Sequence, residues 1–171
     1  RPGCDEHYLV HKMRTDASYL PELTRVAEVE GKVVGLIMYA MSKLKLRQRT
    51  EDALEKKTGN VQEKEVELDH AADLMQQKSE VSVLTFGPLC VDPEYQAKGI
   101  GGKLLETTLG LARDLGYRGI VIFGEPDYYP LHGFLTCDKF GITTAVGKNL
   151  PTFIGFELVK GGLNYPDAVF Y

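Results

Sequence analysis

No apolar run in the sequence approaches the ~20 residues that a membrane span needs, and none lies near the start, so neither a transmembrane helix nor a signal segment is expected. Charge of one sign is equally scarce, because 24 acidic and 20 basic residues leave a formal net charge of −4. A dedicated nucleic-acid binder carries a basic face and a high pI, so that class is excluded. Cysteine is sparse: Cys4, Cys90 and Cys137 are odd in number and lack CxxC spacing. They read as thiols kept reduced in the cytoplasm, and neither a disulfide frame nor a metal site is expected from them. No internal repeat or dividing linker is present. What remains is a 171-residue chain, 43% apolar, read as one domain over residues 1–171 and long enough to bury a core without staples.

The first residues, RPGCDEHYLVHKMR, have helical spacing at Tyr8, Leu9 and Met13, with Asp5 able to cap the start. A chain that opens on a helix with no preceding strand suggests an N-terminal strand outside this numbering. Leu23 to Glu30 alternates apolar and polar residues, and Glu30-Gly31-Lys32 turns it back into VVGLIMYA, which predicts an antiparallel hairpin. Residues 43–80 then become charged and amide-rich, broken by Thr58-Gly59-Asn60. This stretch reads as an insertion with two helical pieces, Thr50 to Lys57 and Val61 to Gln77, forming a solvated face. A lid or partner-binding arm is the other reading of it.

Val81 to Val91 reads as a strand with one defect, Gly87-Pro88. Proline brings no N–H to a ladder, and glycine within a strand marks a bulge or a close backbone approach. A central strand that stops pairing there exposes main-chain groups to a ligand. After Asp92-Pro93-Glu94-Tyr95 comes QAKGIGGK, and then an amphipathic helix with Leu104, Thr108, Leu111 and Leu115 on one stripe, Leu105, Leu109 and Ala112 beside it, and Gly116 at its end. Gly119 to Phe123 is a continuous apolar run, as a strand buried on both faces would be. Strand, glycine loop, helix and strand make a crossover between parallel strands, and alternation around Phe153 to Val159 adds antiparallel ones. The fold class is α/β with a mixed sheet.

The loop Gln96-Ala97-Lys98-Gly99-Ile100-Gly101-Gly102-Lys103 carries the clearest chemistry. Its glycines let successive N–H groups approach an anion, the helix start adds unpaired donors, and two lysines add charge, so a pyrophosphate is the natural guest. Leu104 stands where a Walker loop needs Ser or Thr and where a dinucleotide fingerprint counted from Gly99 needs its third glycine, so both of those motifs fail.

At Gln96, Gly99 and Gly101 the chain resembles the GNAT superfamily of acetyl-CoA-dependent N-acetyltransferases, whose signature is Q/R-x-x-G-x-G/A. Gly3 to Lys12, Leu84 to Gly101, Phe123 to Phe134 and Gly147 to Phe153 are similar to a bacterial subgroup of it. The resemblance implies a mostly antiparallel mixed sheet with a splayed central parallel pair and flanking helices, and acetyl-CoA as co-substrate. It implies that amides of Gln96, Ala97, Lys98, Gly99, Ile100, Gly101, Gly102 and Lys103 hold the CoA pyrophosphate. Main-chain groups of Leu89, Cys90 and Val91 would pair with the pantetheine arm.

The resemblance also makes Tyr129, five residues before Phe134 of Gly133-Phe134, the general acid for the departing thiolate. Tyr128 is its neighbour and rival, assigned to cofactor contact, and helical geometry puts the two ~100° apart. Where many family members carry an asparagine upstream, this chain has Gly124-Glu125-Pro126. Direct attack requires an amine that has lost a proton. Candidate bases are Glu125, Asp127, His132, Glu6 and His7, with Glu125 first because it lies just past a strand end. A water chain or a naturally neutral amine would serve equally, and nothing basic is placed to ionise Cys90 for an acyl-cysteine route. The acceptor is a small-molecule or peptide amine, and exposed strand edges are compatible with a homodimer. A non-catalytic acyl-CoA-binding module and a structural subunit are the competing classes.

Overall fold

The structure is a computed structural model that describes residues 6–46 and 79–171. Helix α1 (Glu6–Thr15) precedes strands β1 (Arg25–Val29), β2 (Lys32–Lys45) and β3 (Glu80–Val91). Helix α2 (Ile100–Asp114) leads to β4 (Gly119–Phe123), and the tail adds β5 (Leu135–Thr136), β6 (Thr143–Thr144), β7 (Phe153–Glu157) and β8 (Val169–Phe170). The strands form one sheet in the order β5-β7-β4-β3-β2-β8-β6, with β1 also paired to β2. Strand β2 thus has β3 along one edge, and β1 and β8 share the other. Lys43–Lys45 and Glu80 belong to strands β2 and β3, so the charged stretch begins and ends inside the sheet. Asp5, Cys4 and the expected helices at Thr50 to Lys57 and Val61 to Gln77 lie outside the described residues. Cys90 and Cys137 form no disulfide.

The predicted hairpin forms. Glu30 and Gly31 both take left-handed backbone (φ 51° and 79°), the pair of conformations a two-residue turn needs to match the strand twist. Helix α2 starts after Gly99 at φ 79° and ends on Gly116 at φ 86°, where the Gly116 and Tyr117 amides bond back to Arg113 and Ala112. Its buried stripe is Leu104, Leu105, Thr108, Leu109 and Ala112. Leu115, expected on that stripe, is the C-cap and is exposed, because the helix has run past the sheet by then.

Alternation along the central strands divides the core. Leu84, Phe86, Ile120 and Ile122 pack with α2 on one face, while Val83 and Val121 pack with Cys137, Phe153 and Leu163 on the other. Within the α2 face, the fully buried Tyr39 hydroxyl lies 2.9 Å from Thr108 Oγ1. The Thr108 hydroxyl already donates to helix carbonyls (Leu104 O at 2.8 Å), so Tyr39 donates to Thr108. Tyr39→Phe leaves Thr108 satisfied by the helix, so the expected loss is about 1 kcal/mol. That corresponds to ~3 °C in a thermal melt of a chain this size.

Two irregularities open the sheet. Ile37 pairs with Leu89 but Tyr39 pairs with Phe86, so three steps of β3 face two of β2 and the extra residue falls at Gly87-Pro88. The parallel ladder from β3 to β4 is recorded at Leu84↔Ile120, after which β4 pairs along its whole length with β7. Beyond that point β3 and β4 diverge into a wedge whose β3 side is Leu89 to Val91. The second parallel pair, β6 with β8, was not expected, since strands of two residues carry no periodicity to read.

Candidate functional site

The loop that follows β3 is pinned from several directions. Asp92 accepts the Glu94 amide (3.1 Å) and the Lys32 ammonium (2.9 Å), and its own amide bonds Val34 O (2.8 Å), which ties the loop to the hairpin. The lysine hydrogen bond, more than the backbone one, holds the Asp92 carboxyl below its usual pKa. The Gln96 side-chain amide donates to Val91 O at 2.9 Å and fixes the loop to the strand it leaves. Ala97 (φ 57°) and Gly99 then turn the chain left-handed into α2. The first bond of this helix start runs from the Lys103 amide to Gly99 O (2.9 Å), so the Ile100, Gly101 and Gly102 amides come before it, as helix-start donors do. The start of α2 therefore presents three amides that precede its first helical bond.

A cavity of about 550 Å³ opens beside it, within the range of small-ligand sites. Its walls come from the β3 end (Leu89, Val91), the loop and helix start (Tyr95 to Ala97, Gly99 to Gly102) and the segment after β4 (Glu125, Tyr128, Tyr129, His132). Three elements far apart in the chain therefore meet at one wedge. A Cβ on Gly101 would lie 3.1 Å from Tyr128 Oη, and one on Gly102 would lie 3.1 Å from His132 Cε1. The glycines thus make room for two aromatic side chains as well as exposing amides.

Tyr128 and Tyr129 both line this cavity. The turn at Tyr129–His132 is a short 3-10 segment, and the two rings stand 5.1 Å apart at 82°. The Tyr129 ring packs against Phe86 (5.7 Å) and Phe134 (5.4 Å), so it is a core ring with one edge in the cavity. Burial, with smaller effects of Tyr128 and Glu125, pushes its phenol up to about 12. Burial also raises Tyr128.

Of the residues singled out in the sequence, Leu89, Val91, Gln96, Ala97, Gly99, Ile100, Gly101, Gly102, Glu125, Tyr128 and Tyr129 line the cavity. Cys90, Lys98, Lys103 and Asp127 are not part of its wall. The Lys98 ammonium donates to Glu94 O (2.9 Å) and lies 4.9 Å from the Tyr95 ring centroid, while exposed Lys103 faces Glu106 at 3.6 Å. The side chains of Glu6 and His7 lie outside the described residues. Tyr95 was missed, and His132 had been weighed only as a base. Tyr95 is held in part by Lys32 (5.3 Å from its ring), a partner from the hairpin that no local spacing announces. Among the described residues no group of three or more His, Cys, Asp or Glu is arranged to hold a metal ion, and no helix is long and apolar enough to cross a membrane.

A family model described as "Acetyltransferase (GNAT) family" matches residues 2–141. The uncharacterized N-acetyltransferase YjhQ of Escherichia coli (strain K12) is 31% identical over 129 residues, 75% of this chain and 55% of YjhQ. The chain therefore spans little more than half the length of that relative. Among solved structures, YhbS, a GNAT family N-acetyltransferase from Escherichia coli in complex with CoA, has a TM-score of 0.67 at 19% identity, covering 97% of this chain and 75% of that one. A GNAT family acetyltransferase from Brucella melitensis in complex with acetyl-CoA has a TM-score of 0.55 at 23% identity, covering 92% and 73%. At these identities the likeness is one of fold.

Proposed function

The chain belongs to the GNAT family of acetyltransferases, and from that membership we propose that it transfers an acetyl group from acetyl-CoA to a primary amine by direct attack in a ternary complex. The observation that carries this reading is a single cavity walled by helix-start amides, a buried phenol and a carboxylate, set at the mouth of a strand wedge.

Coenzyme A suits these residues. Amides of the loop from Gln96 to Lys103 meet a pyrophosphate where helix-start donors and the dipole favour anions. No atom lies within 4 Å of where a Gly99 Cβ would be, so that side of the cradle is open. At the strand end past the Gly87-Pro88 bulge, Leu89 and Val91 turn their main-chain groups away from β2 and offer pairing to an extended arm, whereas Cys90, opposite Leu36, turns its own toward β2. Acetyl-CoA bound in this way supplies an activated acyl thioester. The crystals of YhbS with CoA and of the Brucella protein with acetyl-CoA support the same choice.

The remaining work belongs to side chains. Tyr129 keeps its proton through the physiological range, because its phenol titrates near 12. Against a thiol of about 8.5, complete proton transfer from such a phenol is uphill, so Tyr129 acts by donating a hydrogen bond as negative charge grows on the leaving sulfur. Glu125 takes the proton that the amine releases as its new N–C bond forms, directly or through a water. The acceptor is a small-molecule or peptide amine.

Titration calorimetry with CoA, followed by acetyl-CoA and a panel of amines with free thiol as the readout, tests the proposal. The expected result is saturable CoA binding and amine-dependent thiol release. Absence of heat at millimolar CoA would end it.

A further inference from the structure

Gly124 sits immediately after β4 and contributes no side chain to the cavity, yet its surroundings are restrictive. A Cβ there would lie 2.5 Å from Tyr129 Cδ2, closer still to Cε2, and 3.3 Å from Ile122 Cδ1. Real Cβ atoms essentially never come within 3.0 Å of another heavy atom of this kind. The backbone itself does not call for glycine, since Gly124 is not among the residues at positive φ and its amide makes an ordinary bond to Thr152 O at 2.8 Å. The requirement comes chiefly from the Tyr129 ring, with Ile122 Cδ1 a looser second contact. That ring cannot slide away freely, because Phe86, Phe134 and Tyr128 stand around it with centroids 5.1–5.7 Å distant.

We propose that Gly124 is a positioning residue: the space left by its missing side chain is the slot in which the Tyr129 ring lies, so residue 124 sets how deeply the phenol hydroxyl sits in the cavity. The proposal rests on the reading of Tyr129 as the acid. A methyl at 124 drives the ring off the end of β4 and carries the hydroxyl away from the departing sulfur, while the loop at Gln96 to Lys103 is untouched.

Gly124→Ala is therefore expected to lower kcat by on the order of 10- to 10²-fold, the usual consequence of an ångström-scale misplacement, with the KM for acetyl-CoA within about two-fold. In a Tyr129→Phe background the same substitution is expected to cause almost no further loss, since the hydroxyl is already gone. Unchanged kcat in Gly124→Ala, or losses that multiply in the double variant, would overturn the inference. Full activity in Tyr129→Phe alone would instead remove the acid assignment, and the slot is then read without turnover. In protein labelled at tyrosine ζ-carbon, the Tyr129 resonance (identified by its loss in Tyr129→Phe) should move in Gly124→Ala and titrate at lower pH as the ring leaves its buried position. An unmoved resonance overturns the slot. Should Gly124→Ala fail to fold, adding Tyr129→Leu should restore a cooperative melt because the smaller side chain vacates the slot, and failure to restore it counts against the ring as cause.

Discussion

Tyr129→Phe is expected to lose about 10²-fold in kcat while its affinity for CoA stays within about two-fold. The substitution keeps the ring that packs on Phe86 and Phe134, so the core is preserved and only the hydroxyl is removed. The hydroxyl stabilises charge that appears on sulfur only as the thioester breaks, and an interaction made only in the transition state affects kcat and not ground-state binding. The pH profile is a second check. The protonated phenol is the working form, and burial raises its pKa to about 12, which extends activity upward in pH. Tyr129 therefore imposes no alkaline limb below about pH 11, and any limb seen at lower pH should persist in Tyr129→Phe. An alkaline limb near 10 that disappears in Tyr129→Phe, or unchanged kcat, would contradict the assignment.

Gly101→Asp is expected to weaken CoA binding by 10²-fold or more without unfolding the protein. The new carboxylate stands at the start of α2, where it can take the amides meant for a phosphate and adds repulsion to the loss, each such charge-assisted bond being worth ~1.5–3 kcal/mol. Its Cβ would also press on Tyr128 Oη at 3.1 Å, at the edge of what real contacts allow. A negative charge in the first turn of a helix is by itself mildly stabilising. The melting temperature should therefore hold or rise while calorimetry with CoA shows little heat, a combination that general misfolding cannot produce. Wild-type affinity in this variant would show that the ligand does not use the amides at Ile100 to Gly102.

Much of the frame was legible because its causes are local. Glu30-Gly31 reads as a turn since two left-handed residues close a tight hairpin, and both adopt that conformation. Gly87-Pro88 reads as a defect because proline lacks a ladder donor, and the register slips at that point. The glycine loop announces helix-start amides by its composition, and Gly99 to Gly102 line a cavity. The tyrosine turn was harder to read. Chain order set Tyr128 beside Tyr129, but only the 3-10 turn packed over Gly101 and Gly124 settled which neighbours each ring meets.

From the amino-acid order alone came the elements whose signals sit within a few residues: the hairpin, the interrupted central strand, the glycine loop and its helix, and through them the family. Folding in three dimensions decided which distant groups share a wall. It set Lys32 on Asp92 and Tyr95, pressed Tyr128 and His132 against the helix start, and laid Tyr129 over Gly124. Local conformation follows from steric and hydrogen-bonding limits on neighbouring residues, whereas these contacts arise from close packing of side chains brought together by the sheet, and no short-range spacing encodes them.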